Sequence, residues 1–232
     1  MTDCSAIWED SPAFPALRSP EPSYAEGMAD SLETASHWDV IYGTKGAKKV
    51  SWYQPAPRVS LELIRQIDVA VDVPVIDIGG GGSLLVDNLH VRGFVDLTVL
   101  DISKVALAEG NRRMGPKSVH WLQADVRTWK PDRRYGLWHD RAVFHFLVDP
   151  ADRTAYLRNL QAATAPGSVL ILATFAPDGP ETCSGLPVAR YSSDALAEVL
   201  GESFEALSSL EEQHATPAGV VQPFTWIAGR MR

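Results

Sequence analysis

The chain has 232 residues, 45% of them hydrophobic and 22% charged, which is the composition of an ordinary soluble domain with enough apolar surface for a core. Its net charge of −8 repels phosphate backbones and argues against nucleic acid as a main partner. No apolar run approaches the ~20 residues of a membrane span, the polar, acidic start MTDCSAIWEDSP is no signal peptide, and the two cysteines, Cys4 and Cys183, fit free thiols of a reducing compartment, so a cytoplasmic protein without membrane contact is expected.

Residues 1–35 differ in texture from the rest. Pro12, Pro15, Pro20 and Pro22 interrupt regular structure, and the acidic residues outnumber the single basic Arg18. This segment reads as a mobile N-terminal arm, and residues 36–232 as one domain. Lys45, Lys48 and Lys49 form a local basic group. Pro57 opens a helix that offers Val59, Leu61, Leu63, Ile64 and Ile67 to a buried face.

Then VPVIDIG (73–79) is a short, continuous, β-branched run, the pattern of a strand buried on both faces of a parallel sheet. Further strands are expected at 96–101, 118–125, 135–140 and 168–176. Helical stretches separate them: SLLVDNLHV, SKVALAEGNRR and ADRTAYLRNLQAAT, then SSDALAEVLG with Gly201 as a stop. FEALSSLEEQ and QPFTWIAGRM read as two closing strands with no helix between them. The alternation predicts an α/β fold: a doubly wound, Rossmann-like, seven-stranded and mostly parallel sheet with an antiparallel hairpin at one edge.

The stretch DIGGGGS (77–83) joins the first strand to the next helix, with Ser83 as a candidate N-cap. Such a joint lies at the carboxyl edge of the strands, where doubly wound sheets bind ligands. A dinucleotide motif needs a third glycine where this chain has Leu84, and a nucleophile elbow needs glycine where it has Leu85. Asp77, Gly79 and Gly81 instead fit an acidic–x–G–x–G pattern, with Gly80 between them and Ser83 in place of the last glycine. Asp101 ends the second strand, where a carboxylate accepts both ribose hydroxyls. Asp125 follows the third strand and can accept an adenine amino group. Three acids at successive strand ends point to an adenosine-containing ligand.

These residues resemble the class I S-adenosylmethionine-dependent methyltransferases over residues 37–232. VIDIGGGGS is similar to the family's glycine motif, LDIS to its ribose-binding acid and QADV to its adenine-binding acid. The resemblance implies S-adenosyl-L-methionine as the cofactor. The cofactor-binding set it implies includes Asp77, Gly79, Gly80, Gly81, Ser83, Asp101, Ile102, Ala124, Asp125, Val126 and His139. LWHDRAVFHFLVDPADRTAYLRNL resembles the fourth strand and following helix of the thiopurine and small-thiol methyltransferases. HWDVIY and SWYQ resemble the Trp-containing segment with which they cover the cofactor, and also a set of protein lysine methyltransferases.

Methyl transfer is an in-line displacement at a sulfonium cation, which an aromatic face stabilises. Trp38, Tyr42, Trp52 and Tyr53 are the candidates. His139, Asp140 and Arg141 end the fourth strand and are read as catalytic candidates with His145: the histidines as bases, Asp140 as a proton acceptor or as the group orienting Arg141, and Arg141 as a cation beside the acceptor. The loop 176–191, with Cys183, Arg190 and Tyr191, would overhang the acceptor pocket. His139 and His145 lie six apart, unlike a zinc helix pair, and no metal is expected. The expected function is methyl transfer to a small-molecule nucleophile, with a thiol in view. The alternatives are a protein lysine methyltransferase, an NAD-dependent oxidoreductase and a non-catalytic cofactor-binding protein.

Overall fold

The computed structural model describes residues 24–115 and 118–232, and the first 23 residues of the expected arm lie outside them. Residues 24–35, also assigned to that arm, begin helix α1 (Tyr24–Lys45). Past Pro22 the chain has no further proline until Pro55, and Ala, Glu, Met and Leu carry the helix forward. After a short 3-10 turn, α2 (Arg58–Gln66) leads into the sheet.

The sheet strands are β1 (Val75–Ile78), β2 (Leu97–Asp101), β3 (His120–Gln123), β4 (Leu137–Arg141), β5 (Val169–Phe175), β6 (Phe204–Ala215) and β7 (Val221–Met231). They stand in the order β3-β2-β1-β4-β5-β7-β6. β1 to β5 pair in parallel, while β7 runs antiparallel between β5 and β6. The connecting helices are α3 (Leu85–Val91), α4 (Lys104–Met114), α5 (Pro150–Ala163) and α6 (Ser193–Leu200). The expected fold is therefore the observed one. Helices fall in the gaps where they are expected, and between β3 and β4, where no helical stretch is named, Pro131 falls and the chain turns on Asp125: its carbonyl accepts the Trp129 amide, and the Trp129 ring packs on Trp138.

Strand alternation sorts the core into two layers. Val75, Val99, Leu137, Ile171 and Ala173 face α2, α3 and α4. Ile76, Ile78, Leu100, Trp138, Leu170 and Leu172 face α5 and α6. Successive residues of β4 follow the same rule. Asp77 is in register with His139, so both point toward the α2 layer, and Asp140 points to the α5 layer.

On that second face, the Trp138 indole donates to the Tyr156 hydroxyl at 2.9 Å, and Tyr156 donates to Asp140 Oδ2 at 2.7 Å. Asp140 Oδ1 accepts the Val143 amide at 2.8 Å and so closes the turn after β4. All three side chains are fully buried. Tyr156→Phe would strip a buried carboxylate of its donor and an indole of its acceptor. We expect a loss of about 2–3 kcal/mol in denaturant unfolding with the fold retained; a loss below about 0.5 kcal/mol would show that the chain carries no weight.

Candidate active site

The parallel strands end along one edge, and the sequence-predicted residues gather there. Gly79 has φ +69°, and a Cβ at this position would collide with Val143. A Cβ on Gly80 would collide with Asp77 Oδ2, so the bare turn lets this carboxylate lie beneath the backbone. Ser83 accepts the Leu85 amide at 3.0 Å, although the first cap position is Leu84 rather than Ser83.

Asp77 is 2% exposed. Its Oδ1 lies 2.7 Å from His139 Nδ1, and His139 Nε2 lies 2.9 Å from Ser60 Oγ on α2. Both ring nitrogens are thus engaged in a buried row, and His139 is not free to act as a base. Asp77 Oδ2 has no partner among the described residues.

Asp101 is 5% exposed. Its oxygens accept the Gly81 amide at 3.0 Å and the Ser103 amide at 2.8 Å. Burial outweighs these bonds and raises its pKa to about 6. Ser103 caps α4, and Asp39 from α1 reinforces the cap by accepting from Ser103 Oγ at 2.7 Å and from the Val105 amide at 3.1 Å. That contact fixes α1 over the site.

Asp125 receives the Arg127 fork at 2.7–3.1 Å and the Ser31 hydroxyl at 2.7 Å. Burial alone would raise its carboxyl, but the bonds from Arg127 and Ser31 hold it below its ordinary value. Arg127 also meets Asp30 at 2.6 Å and Asp152 at 3.1 Å. Ile102 packs beside the aromatic cover, while Val126 is buried in the α5-side core with Ala124 against it. Their side chains therefore pack into different clusters.

The cover is aromatic. Trp38, Trp52 and Phe146 meet edge to face, with centroids 5.7 and 5.0 Å from Trp38, and Tyr42 meets Trp52 at 5.9 Å. Trp52 Nε1 donates to the Tyr42 hydroxyl at 3.2 Å, and the Tyr42 ring lies directly over Gly82. Burial, and then the Asp101 carboxylate, keep that hydroxyl well above its usual range and hence protonated. Tyr53 packs at the margin of this cluster.

Arg141 does not pair with Asp140, which neither orients it nor reaches the cleft. Its Nη1 donates to the Trp52 carbonyl at 2.9 Å, and its guanidinium lies 4.6 Å from the Phe224 ring centroid. Burial lowers its pKa to about 10, so it stays charged near neutrality. His145 is fully buried, and its Nδ1 accepts the Phe175 amide at 3.3 Å. Burial, then the Arg141 charge, push its pKa down to about 3, so it stays neutral and is not a free base either. Arg190 binds the Gly179 carbonyl and Glu181, bracing the 176–191 loop on itself. Cys183 is a buried free thiol. No cluster able to hold a metal occurs among the described residues.

Sequence reasoning missed Ser60, Ser31, Asp39, Arg127 and Glu212. Ser60, Ser31 and Asp39 meet their partners 79, 94 and 64 positions away, Glu212 meets both Gln54 at 158 positions and Trp226 at 14, and Arg127 joins Asp125 two residues back to Asp30 at 97, pairs that no local spacing announces.

Residues 75–167 match the family model of a methyltransferase domain. Nodulation protein S of Bradyrhizobium diazoefficiens is 29% identical over 120 residues, which is 51% of this chain and 54% of that protein. The chain thus spans about half the length of this curated relative. Among solved structures, a SAM-dependent methyltransferase from Anabaena variabilis superposes with a TM-score of 0.69 at 15% identity, covering 86% of this chain and 95% of that one. The 1,6-didemethyltoxoflavin-N1-methyltransferase of Burkholderia thailandensis gives 0.65 at 17% identity, with 93% of each chain covered. The N-methyltransferase NodS of Bradyrhizobium japonicum, in complex with S-adenosylhomocysteine, gives 0.61 at 17% identity over 83% of this chain and 97% of that one. At these identities the likeness is one of fold. The expected nearness to the thiopurine and small-thiol group finds no support in these matches. The family match falls on β1 to the turn before β5, the segment that carries the glycine turn and the row of strand-end acids. The chain thus resembles a methyltransferase domain over this segment and shares the fold of these methyltransferases over most of its length.

Proposed function

We propose that the protein transfers the methyl group of S-adenosyl-L-methionine to a small-molecule nucleophile that arrives with an available lone pair, a nitrogen first and a thiol second. The observation that carries the cofactor reading is the row Asp77, Asp101 and Asp125 at successive strand ends, with the glycine turn beneath it. The bare Asp77 oxygen and the cover of Trp38, Tyr42 and Trp52 fit a cationic, adenosine-bearing molecule. When bound, S-adenosylmethionine supplies an electrophilic methyl group. The chain's part is to bind, align and exclude water. Asp101 would take the ribose hydroxyls, and Asp125 with the Ala124–Val126 backbone would take the adenine. The aromatic cover would face the sulfonium.

The acceptor reading rests on the bases. His139 has both nitrogens engaged, His145 is neutral and buried, and Asp140 faces the other layer. Among the described residues, no unengaged base stands at the edge of β4. A neutral amine, a heteroaromatic nitrogen or a thiolate needs no such base, whereas an alcohol does. The N-methyltransferases named above fit the same reading. Protein lysine methylation remains the second reading, favoured by the resemblance of HWDVIY and SWYQ.

A screen for S-adenosylhomocysteine release across small amines, N-heterocycles, thiols, phenols and lysine peptides tests this. Turnover is expected with amines, heterocycles or thiols; turnover with lysine peptides alone would overturn the small-molecule reading. Asp101 generates a pH prediction. Its folded value of about 6 lies above the ordinary 3.8, so this group adds stability below about pH 4 and loses it as pH rises through 6. Ribose binding runs the other way, because the ionised form accepts two hydroxyls. S-adenosylhomocysteine affinity should fall as pH drops below 6. In Asp101→Asn it should be weaker by roughly 10-fold and flat in that range. An unchanged affinity or an unchanged pH profile in the variant would remove Asp101 from the ribose site.

A further inference from the structure

Two charged side chains in the cleft keep hydrogen-bonding capacity that the protein does not use. The Arg141 side chain is 9% exposed, and its Nε and Nη2 have no partner among the described residues. Glu212 Oε2 stands 3.9 Å from Nη2, too far for a hydrogen bond, and is itself taken by the Trp226 indole at 2.9 Å. Nε and Nη2 form one edge of the planar group, the edge that meets a carboxylate through two parallel bonds. The Trp52 carbonyl on Nη1 and the Phe224 ring against its face fix that plane. The same cavity is lined by Asp77, whose Oδ2 is the bare oxygen, its Oδ1 being taken by His139, which Ser60 holds in turn.

A buried donor fork on β4 and a buried bare carboxylate oxygen on β1 offer one partner for a carboxylate and one for an ammonium. The wall of this cavity is the glycine turn and the 47–57 segment, and neither the 142–149 turn nor the 176–191 loop contributes to it. It is therefore the cofactor's side of the cleft. We propose that Arg141 is a cofactor-reading residue: its Nε/Nη2 edge binds the α-carboxylate of the methionine portion of S-adenosylmethionine, while Asp77 Oδ2 takes the α-ammonium. This replaces the acceptor-side role expected for Arg141 from sequence, and it rests on the cofactor reading above. It also gives His139 and Ser60 a purpose as positioning residues, since they leave Asp77 only one oxygen to offer.

Isothermal titration of the full chain with S-adenosylmethionine, decarboxylated S-adenosylmethionine and 5′-methylthioadenosine tests it. The unmodified chain should prefer the first to the second by roughly 10- to 100-fold, the size of a lost charge-assisted pair. Arg141→Gln should abolish that preference and leave the other two ligands unchanged. Arg141→Lys keeps the charge without the fork, should retain part of the preference, and serves as the second variant if the glutamine form does not fold. No preference in the unmodified chain, or a full preference surviving in Arg141→Gln, overturns the proposal. Failure of the unmodified chain to bind S-adenosylmethionine or 5′-methylthioadenosine at all would overturn the cofactor reading itself.

Discussion

The arrangement of the cleft depends on one buried carboxylate. Asp77 sits at the end of the central strand, 2% exposed, with a single side-chain neighbour on one oxygen. Burying a charge without partners costs several kcal/mol, so its surroundings are constrained. His139 must lie in register on β4, Ser60 must approach from α2, and the residue over Oδ2 must be glycine. The remaining oxygen has no partner among the described residues. Charge that the fold leaves unsatisfied is charge available for binding.

The other elements follow from that edge. Parallel strands deliver Asp77, Asp101 and the turn to Asp125 to one line, because each ends at the same side of the sheet. The N-terminal segment then closes the line from above. Asp39 caps α4 through Ser103, Ser31 reaches Asp125, and Tyr42 rests on Gly82. The space left between the turn and the 47–57 segment is about 40 Å³. The cover forms a small cluster of its own that joins the α2–α4 layer through Trp52 and Phe146.

Much of this was legible in the sequence, for physical reasons. Continuous apolar runs such as VLILATF can only be strands buried on both faces, and Gly201 stops a helix with φ +65°. The glycine turn and its acids could be read because strand, turn and helix are contiguous. What could not be read is what each acid touches. Asp140 and Arg141 are neighbours in sequence, yet alternation sends them to opposite layers, one to Tyr156 and the other to Trp52 and Phe224. His139 and His145 look alike as candidate bases until their nitrogens are counted. The helical start of α1 before residue 36 shows the same limit. Local propensity marks elements, while long-range partners decide roles.

The central claim is that this edge binds an adenosylated sulfur cofactor and not a dinucleotide. Calorimetric titration of the full chain with S-adenosylhomocysteine and with NAD tests it most directly. The account predicts one S-adenosylhomocysteine bound per chain and no heat from NAD. Binding of NAD without binding of S-adenosylhomocysteine would contradict it.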